Sequence, residues 1–197
     1  MYSGIIHHHG TVGEVLDAAG GGKRIHFDVP TIMHQVVDGS SVNVDGVCLT
    51  ALDCNLNGFW SDVMPQTLEL TTAGSWKVGQ IVNVEPSMRL GDELGGHFVY
   101  GHVDGVAEIV EMEEKGNALI VLLRAPQELM RYIVPQGSIA LDGVSLTIAD
   151  VQDEVFAVSL TPETIERTVW KDRGVGDRVN FEADMMIKYL WAKPSQS

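Results

Sequence analysis

Basic residues are scarce in this chain. Lysine and arginine number 13 among 197 residues, against 27 aspartates and glutamates, for a formal net charge of −14. A surface that acidic repels phosphate backbones, which excludes a general nucleic-acid binder and a polybasic membrane-surface binder. Cysteine is nearly absent. Cys48 and Cys54 make no disulfide framework, and such a chain suits a reducing cytosol. No apolar run approaches the roughly 18 residues a membrane helix needs. The opening Met1-Tyr2-Ser3-Gly4 lacks the basic and apolar regions of a secretory signal, so a cytoplasmic protein is expected. Metal-ligand patterns are missing too. His7 and His9 share a strand face, but no Cys or carboxylate stands at ligand spacing, so no metal is expected. Gly20-Gly21-Gly22-Lys23 lacks the earlier glycine and the following Ser or Thr of a phosphate loop and reads as a flexible turn.

What the chain does have is a duplication. Ser41-Val42-Asn43-Val44-Asp45-Gly46-Val47-Cys48-Leu49-Thr50 recurs 97 residues later as Ser138-Ile139-Ala140-Leu141-Asp142-Gly143-Val144-Ser145-Leu146-Thr147, with six of ten positions identical. Chance gives about one. Met64–Leu68 matches Thr161–Ile165 at the same offset, and Val78–Glu85 matches Val175–Glu182 with five of eight identical. The chain is therefore two copies of one module, joined near Gly95-Gly96-His97. Within each copy, short β-branched and aromatic stretches alternate with Asp-Gly and Lys-Val-Gly turns. Asp45-Gly46 and Asp142-Gly143 signal tight hairpins or bulges. An antiparallel, mainly β module follows; a closed barrel fits it, and a sandwich is compatible with the same pattern. Thr161-Pro162-Glu163 opens a short helix, and Pro126–Ile133 is a second candidate. Beyond the duplication, Ala183, Met186, Ile187, Leu190 and Trp191 form an apolar helical stripe, with Asp184 and Lys188 paired on the outer face. A helix this short needs a partner for its stripe, either the barrels or another subunit.

The copies also differ. Cys48 stands opposite Ser145, and Ile5 opposite His102. A thiol, a hydroxyl and an imidazole in otherwise matched settings suit proton transfer and nucleophilic addition. Cys54 has no motif around it and reads as a small structural residue.

Five blocks in order resemble the alpha-chain-type riboflavin synthase family: Met1–Ile6, Asp45–Thr50, Gly91–Val103, Asp142–Thr147 and Pro162–Thr168. The resemblance implies two tandem six-stranded Greek-key β-barrels with short helices, over residues 1–97 and 98–184. A C-terminal trimerisation helix and tail, 185–197, would complete a homotrimer. It implies dismutation of two 6,7-dimethyl-8-ribityllumazine molecules by four-carbon transfer, giving riboflavin and 5-amino-6-(D-ribitylamino)uracil, with no cofactor or metal. The site would lie between the N-barrel of one subunit and the C-barrel of another, and lumazine synthase is the implied protein partner. A non-catalytic lumazine- or flavin-binding protein is the alternative.

Carried over by position, the resemblance implies a first cradle of Gly4, Ile5 and Ile6, then Cys48, Leu49 and Thr50, then Asp62, Val63, Met64, Pro65, Gln66 and Thr67, with Ser41 near the ligand. The implied second cradle is Gly101, His102 and Val103, then Ser145, Leu146 and Thr147, then Leu160, Thr161, Pro162, Glu163, Thr164 and Ile165. Cys48, His102, Ser145 and Thr147 are the implied catalytic residues, with His102 working beside Ser145 or Thr147 as base and Cys48 as nucleophile. Gln136 stands where the family carries a substrate-contacting Lys, keeping hydrogen bonding without the charge. Tyr2 replaces Phe, and Asp45 replaces Asn.

Overall fold

A computed structural model describes residues 1–192. Twelve strands form two antiparallel six-stranded units. The first comprises β1 (His8–Asp17), β2 (Lys23–Asp28), β3 (Ser41–Val44), β4 (Val47–Thr50), β5 (Gly58–Val63) and β6 (Ile81–Pro86), in the order β4-β3-β6-β1-β2-β5. A bridge between Leu52 and Trp60, with both backbone hydrogen bonds at 2.8 Å, draws the two ends together so that the barrel nearly closes. The second comprises β7 (Gly105–Lys115), β8 (Ala118–Arg124), β9 (Ser138–Leu141), β10 (Val144–Gln152), β11 (Val155–Leu160) and β12 (Arg178–Ala183), and is fully closed. Closure removes the free edges that an antiparallel sheet exposes. Even the bulges repeat, between Val12 and Glu14 in β1 and between Ile109 and Glu111 in β7.

Alternation along the strands fills each interior. Val42, Val44, Val47 and Leu49 point into the first barrel, around Phe27, Phe59 and Trp76. Ile139, Leu141, Val144 and Leu146 do the same in the second, around Phe156, Phe181 and Trp170. The period-2 pattern therefore puts Cys48 and Thr50, and likewise Ser145 and Thr147, on the outer faces.

The barrels meet at their matched Asp-Gly hairpins. Asp45 and Gly46 have φ of 43° and 83°, and Asp142 and Gly143 have 46° and 78°, the positive pair that tight two-residue hairpins require. The glycine is forced by proximity as well: a Cβ on Gly46 would lie 2.9 Å from the Gly143 nitrogen, and the converse holds. Asn83 donates to the Asp142 carbonyl at 2.9 Å, and Asn180 donates to that of Asp45 at 2.7 Å. Each buried amide also accepts from the other half, Asn83 from the Val169 N–H and Asn180 from the Thr72 N–H. The symmetry breaks at Arg173, which pairs with Asp142 and lies 3.9 Å from Asp45.

The short helices are α1 (Pro65–Leu70), α2 (Pro162–Glu166) and α3 (Met185–Trp191), none long and apolar enough to cross a membrane. Thr161 caps α2 by accepting from the Thr164 N–H. The Pro126–Ile133 candidate is a 3-10 turn over Gln127–Tyr132. The C-terminal stripe needs correction. Ala183 belongs to β12, buried opposite Ile139. Asp184 is the N-cap of α3, accepting from the Met186 N–H at 2.9 Å, so it does not pair with Lys188. Lys188 instead reaches both oxygens of Asp104, at 2.9 and 2.8 Å. The end of the tail, 193–197, lies outside the described residues.

Candidate active site

Each barrel is preceded by a short strap, residues 2–6 or 99–103, and the two straps run antiparallel through the Tyr2–Val99 pair. They cross over. The Cys48 N–H donates to the Gly101 carbonyl at 2.9 Å, while the Ser145 N–H donates to the Gly4 carbonyl at 2.8 Å. Ile6 is buried in the core of the second barrel, and Val103 in that of the first. Gly4 and Gly101 are glycine for two reasons. Their φ values are 74° and 76°, and a Cβ on either would sit 2.6 Å from that of Ser145 or Cys48.

This exchange rearranges the cradles expected from position alone. Gly101, His102 and Val103 lie with Cys48, not with Ser145; Gly4, Ile5 and Ile6 lie with Ser145, not with Cys48. The reason is physical: each strap is held by one barrel and laid across the other. Cys48, Gln66, Thr67, Gly101, His102 and Val103 line one cleft of about 270 Å³ beside α1. Thr50 and Ser41 face one another across β3 and β4 on the same barrel. Asp62 and Met64 are exposed, the former 3.6 Å from Arg24, and Pro65 starts α1.

In the other half, Ser145 and Thr147 share the outer face of β10, with Thr161, Pro162 and Glu163 exposed and Thr164 half-buried at the start of α2. Thr161 and Thr164 bring their hydroxyls within 3.0 Å of each other. Ile165 packs partly on the barrel core. The side chains of Leu49, Val63, Leu146 and Leu160 are buried in the cores, so these positions offer a ligand backbone only. Gln136 is an exposed turn residue with φ of 65°, its N–H donating to Ile148 at 2.8 Å.

Two partners escaped the sequence reading. His97 places Nδ1 2.7 Å from the Ser145 hydroxyl. The ring is buried, and desolvation holds its pKa below the usual histidine value despite Asp184 nearby, so it is a neutral imidazole at neutral pH. Its signal was the junction block itself, where Gly96 precedes it because a Cβ there would strike Ser145 and the Ser3 carbonyl. Tyr2 donates its hydroxyl to the Cys48 sulfur at 3.1 Å from a fully buried position, and burial beside the thiol drives the phenol pKa far upward. Neutral Tyr2 is thus a permanent donor. The arrangement is two cradles of one geometry and unlike chemistry. A thiol sits under a phenol and near an imidazole on one side; a hydroxyl is bonded to a neutral imidazole on the other.

The lumazine binding domain model matches twice, over residues 3–87 and 100–184. Riboflavin synthase of Bacillus subtilis is 40% identical over 191 residues, covering 97% of this chain and 88% of that protein. Riboflavin synthase of Brucella abortus is 41% identical over 194 residues, covering 96% of both. The crystal structure of LumP with riboflavin superposes with a TM-score of 0.84 at 25% identity, over 93% of this chain and 99% of that one. The LumP complex with 6,7-dimethyl-8-(1'-D-ribityl) lumazine gives 0.83 at 24%, with the same coverage. Two matched lumazine binding domains, and near-full-length identity to these enzymes, place the chain in the riboflavin synthase family.

Proposed function

We propose that this protein is riboflavin synthase, a transferase that dismutates two 6,7-dimethyl-8-ribityllumazine molecules into riboflavin and 5-amino-6-(D-ribitylamino)uracil. The observation that carries the reading is the pair of matched cradles with different reactive groups. Two identical substrates need two similar seats, and donor and acceptor need different chemistry at each. Holding both molecules in place makes the bimolecular step effectively unimolecular.

In the first step a base takes a proton from the C7 methyl of one lumazine, while a nucleophile or an activated water adds to the other. His97, neutral and bonded to Ser145, is suited to accept a proton from that hydroxyl as it adds, or from water. Cys48, held by Tyr2 beside His102, supplies the matching thiol. Thr50 and Thr147 stand two residues further along the same outer faces, and their hydroxyls are suited to bond the substrates' heteroatoms.

Both cradles open on outer faces, so a facing barrel is needed to exclude water. The reading therefore includes a homotrimer with each site shared by two subunits, supported by the exposed Met186, Tyr189, Leu190 and Trp191 of α3. Gln136 is exposed and free to meet a neighbour's substrate. Lumazine synthase is the candidate partner, and a cytoplasmic location fits the two free thiols. The alternative, a binding protein without turnover, rests on the likeness to LumP. Incubation of the pure protein with 6,7-dimethyl-8-ribityllumazine separates the two. Growth of riboflavin absorbance establishes the enzyme; bound colour without turnover establishes the alternative.

A further inference from the structure

Two glutamates occupy the same place in the two halves, each the penultimate residue of its barrel's last strand, and both are buried. Glu85 accepts from the Ser3 N–H and hydroxyl, both at 2.7 Å, and from the Gly4 N–H at 3.0 Å. Glu182 accepts from the Tyr100 N–H at 2.7 Å and the His102 N–H at 2.9 Å. The Glu182 carboxylate has no route to a ligand, being 2% exposed; Glu85 is buried too but borders a cleft beside Ser3 and His7. Each is a side chain spent on holding a strap, Glu182 through backbone N–H groups and Glu85 through two such groups and the Ser3 hydroxyl.

We propose that Glu182 is a positioning residue for the reaction, holding the 99–103 strap so that Gly101 and His102 stand against Cys48, and that Glu85 does the same for the 2–6 strap against Ser145. The proposal rests on the riboflavin synthase reading. Its geometry is a relay across the barrels. Glu182 belongs to the second barrel, yet the strap it grips forms one wall of the first barrel's cleft, where the Gly101 carbonyl receives the Cys48 N–H. A shift of the strap therefore moves His102 and disturbs Cys48 together. The grip is strong because carboxylate acceptors make charge-assisted bonds with N–H donors that have no other partner. Burial nonetheless pushes both carboxyl pKa values upward, against the opposing pull of those same hydrogen bonds.

The two grips differ in one respect. Lys188 of α3 lies close enough to favour the Glu182 carboxylate, and it also holds Asp104, which accepts from the Ala183 N–H at 2.9 Å. The C-terminal helix is thus tied to the His102 strap.

The test pairs turnover with hydrogen–deuterium exchange on the full chain. In Glu182→Gln the amide must set its NH₂ against one of two N–H donors, losing one bond. Amides of 99–103 should exchange at least about tenfold faster while those of 2–6 keep their wild-type rates, and turnover should fall about tenfold to a hundredfold. Riboflavin affinity should fall less, and the far-ultraviolet spectrum should hold. Glu85→Gln should loosen 2–6 and leave 99–103 alone. Lys188→Met, which keeps the Glu182 hydrogen bonds, is the milder second variant, loosening 99–103 in the same direction even if Glu182→Gln does not fold. Wild-type turnover in Glu182→Gln despite a loosened strap overturns the positioning role. So does lost turnover with unchanged exchange, or exchange that rises in both straps for either Gln variant. A wild-type protein that turns over no lumazine sinks the enzyme reading instead, and the exchange pattern still decides whether the glutamates hold the straps.

Discussion

The Tyr2 hydroxyl donates to the Cys48 sulfur across the junction of the two barrels, 3.1 Å apart, in a chain where the family's residue at this place is Phe. Tyr2 sits on the strap laid against Ser145, so it links the two cradles physically. Tyr2→Phe should leave the fold and thermal stability nearly unchanged, because sulfur is a weak acceptor and is not left seriously unsatisfied. Turnover should fall about three- to tenfold, the scale of one neutral hydrogen bond near 1 kcal/mol, with riboflavin affinity little altered. Steady-state lumazine consumption beside flavin titration checks it; wild-type turnover would show that the hydroxyl only fills space.

The regrouped cradles change what mutations should do. Cys48 and His102 line one cleft, while Ser145 is hydrogen-bonded to His97 on the other barrel. Cys48→Ala and His102→Gln should each cut turnover far more than riboflavin affinity, on the order of 10²–10⁴ for an acid–base group. Their double mutant should cost less than the product of the singles, because neighbours in one site are not additive. Cys48→Ser should be milder than Ala, since Ser145 shows that a hydroxyl fits the matched position. Strict multiplicativity in the double mutant would place the two groups in separate steps.

Much of this was legible in the residues. The offset of 97 exposed the duplication, and the Asp-Gly pairs marked hairpins that the φ values of Asp45 and Asp142 bear out. The split of Leu49 into the core and Cys48 onto the outer face was not drawn from the sequence, which placed both in one cradle. The strap exchange was not legible, because a repeat offset matches Gly4 to Gly101 without saying which barrel each lies against. His97 and Tyr2 were missed as partners for the same reason: their contacts join positions 48 and 46 residues apart, and only closure of the fold creates them. The Asp184–Lys188 pair failed because an Asp ahead of a helix caps it more readily than it pairs along it.

His97 gives a pH prediction. Desolvation lowers its pKa, so the neutral base survives as pH falls through 6.5, the ordinary histidine value, and is lost only further down. Turnover through this group should therefore stay level across 6.5 and decline below it. The same shift bears on stability. The unfolded chain takes up its proton first, so His97 subtracts from stability as pH falls below about 6.5. His97→Gln should abolish that acid limb and lower turnover at all pH values. A kcat profile whose acid limb survives the substitution would assign it elsewhere.

Asp45 and Asp142 face each other with one guanidinium between them. Asp45 is fully buried; it accepts from the Asn83 N–H at 2.7 Å, while its other oxygen has no hydrogen-bond partner. Burial and the Asp142 charge raise its pKa well above the ordinary Asp value, against the pull of Arg173. Because the folded pKa exceeds the unfolded one, the ionised group is penalised in the folded state. That penalty is complete above the raised folded pKa and gone below the unfolded value of 3.8. Asp45→Asn should stabilise the protein near pH 7, because it removes a buried charge that its surroundings disfavour. The gain should shrink toward zero on acidification. Urea unfolding at two pH values measures it; an equal gain at both would mean that hydrogen bonding, not charge, is responsible.

The C-terminal helix is tied down at one end and bare on its surface. Asp184 caps it and Lys188 grips Asp104, while Met186, Tyr189, Leu190 and Trp191 are 69%, 74%, 81% and 57% exposed. So much exposed apolar area on a seven-residue helix is uneconomical for a monomer and suits contact between subunits. The cut that tests this must follow Asp184, since Ala183 is a buried partner of Ile139 in the closed barrel. A chain ending at Asp184 should keep both barrels, by near- and far-ultraviolet spectra, but sediment as a monomer. It should lose turnover on two counts: the shared site opens to water, and Asp104 loses its lysine. Lys188→Met in the full chain separates them, loosening the strap while the oligomer persists. A trimer that survives the truncation would move the subunit contact onto the barrels themselves.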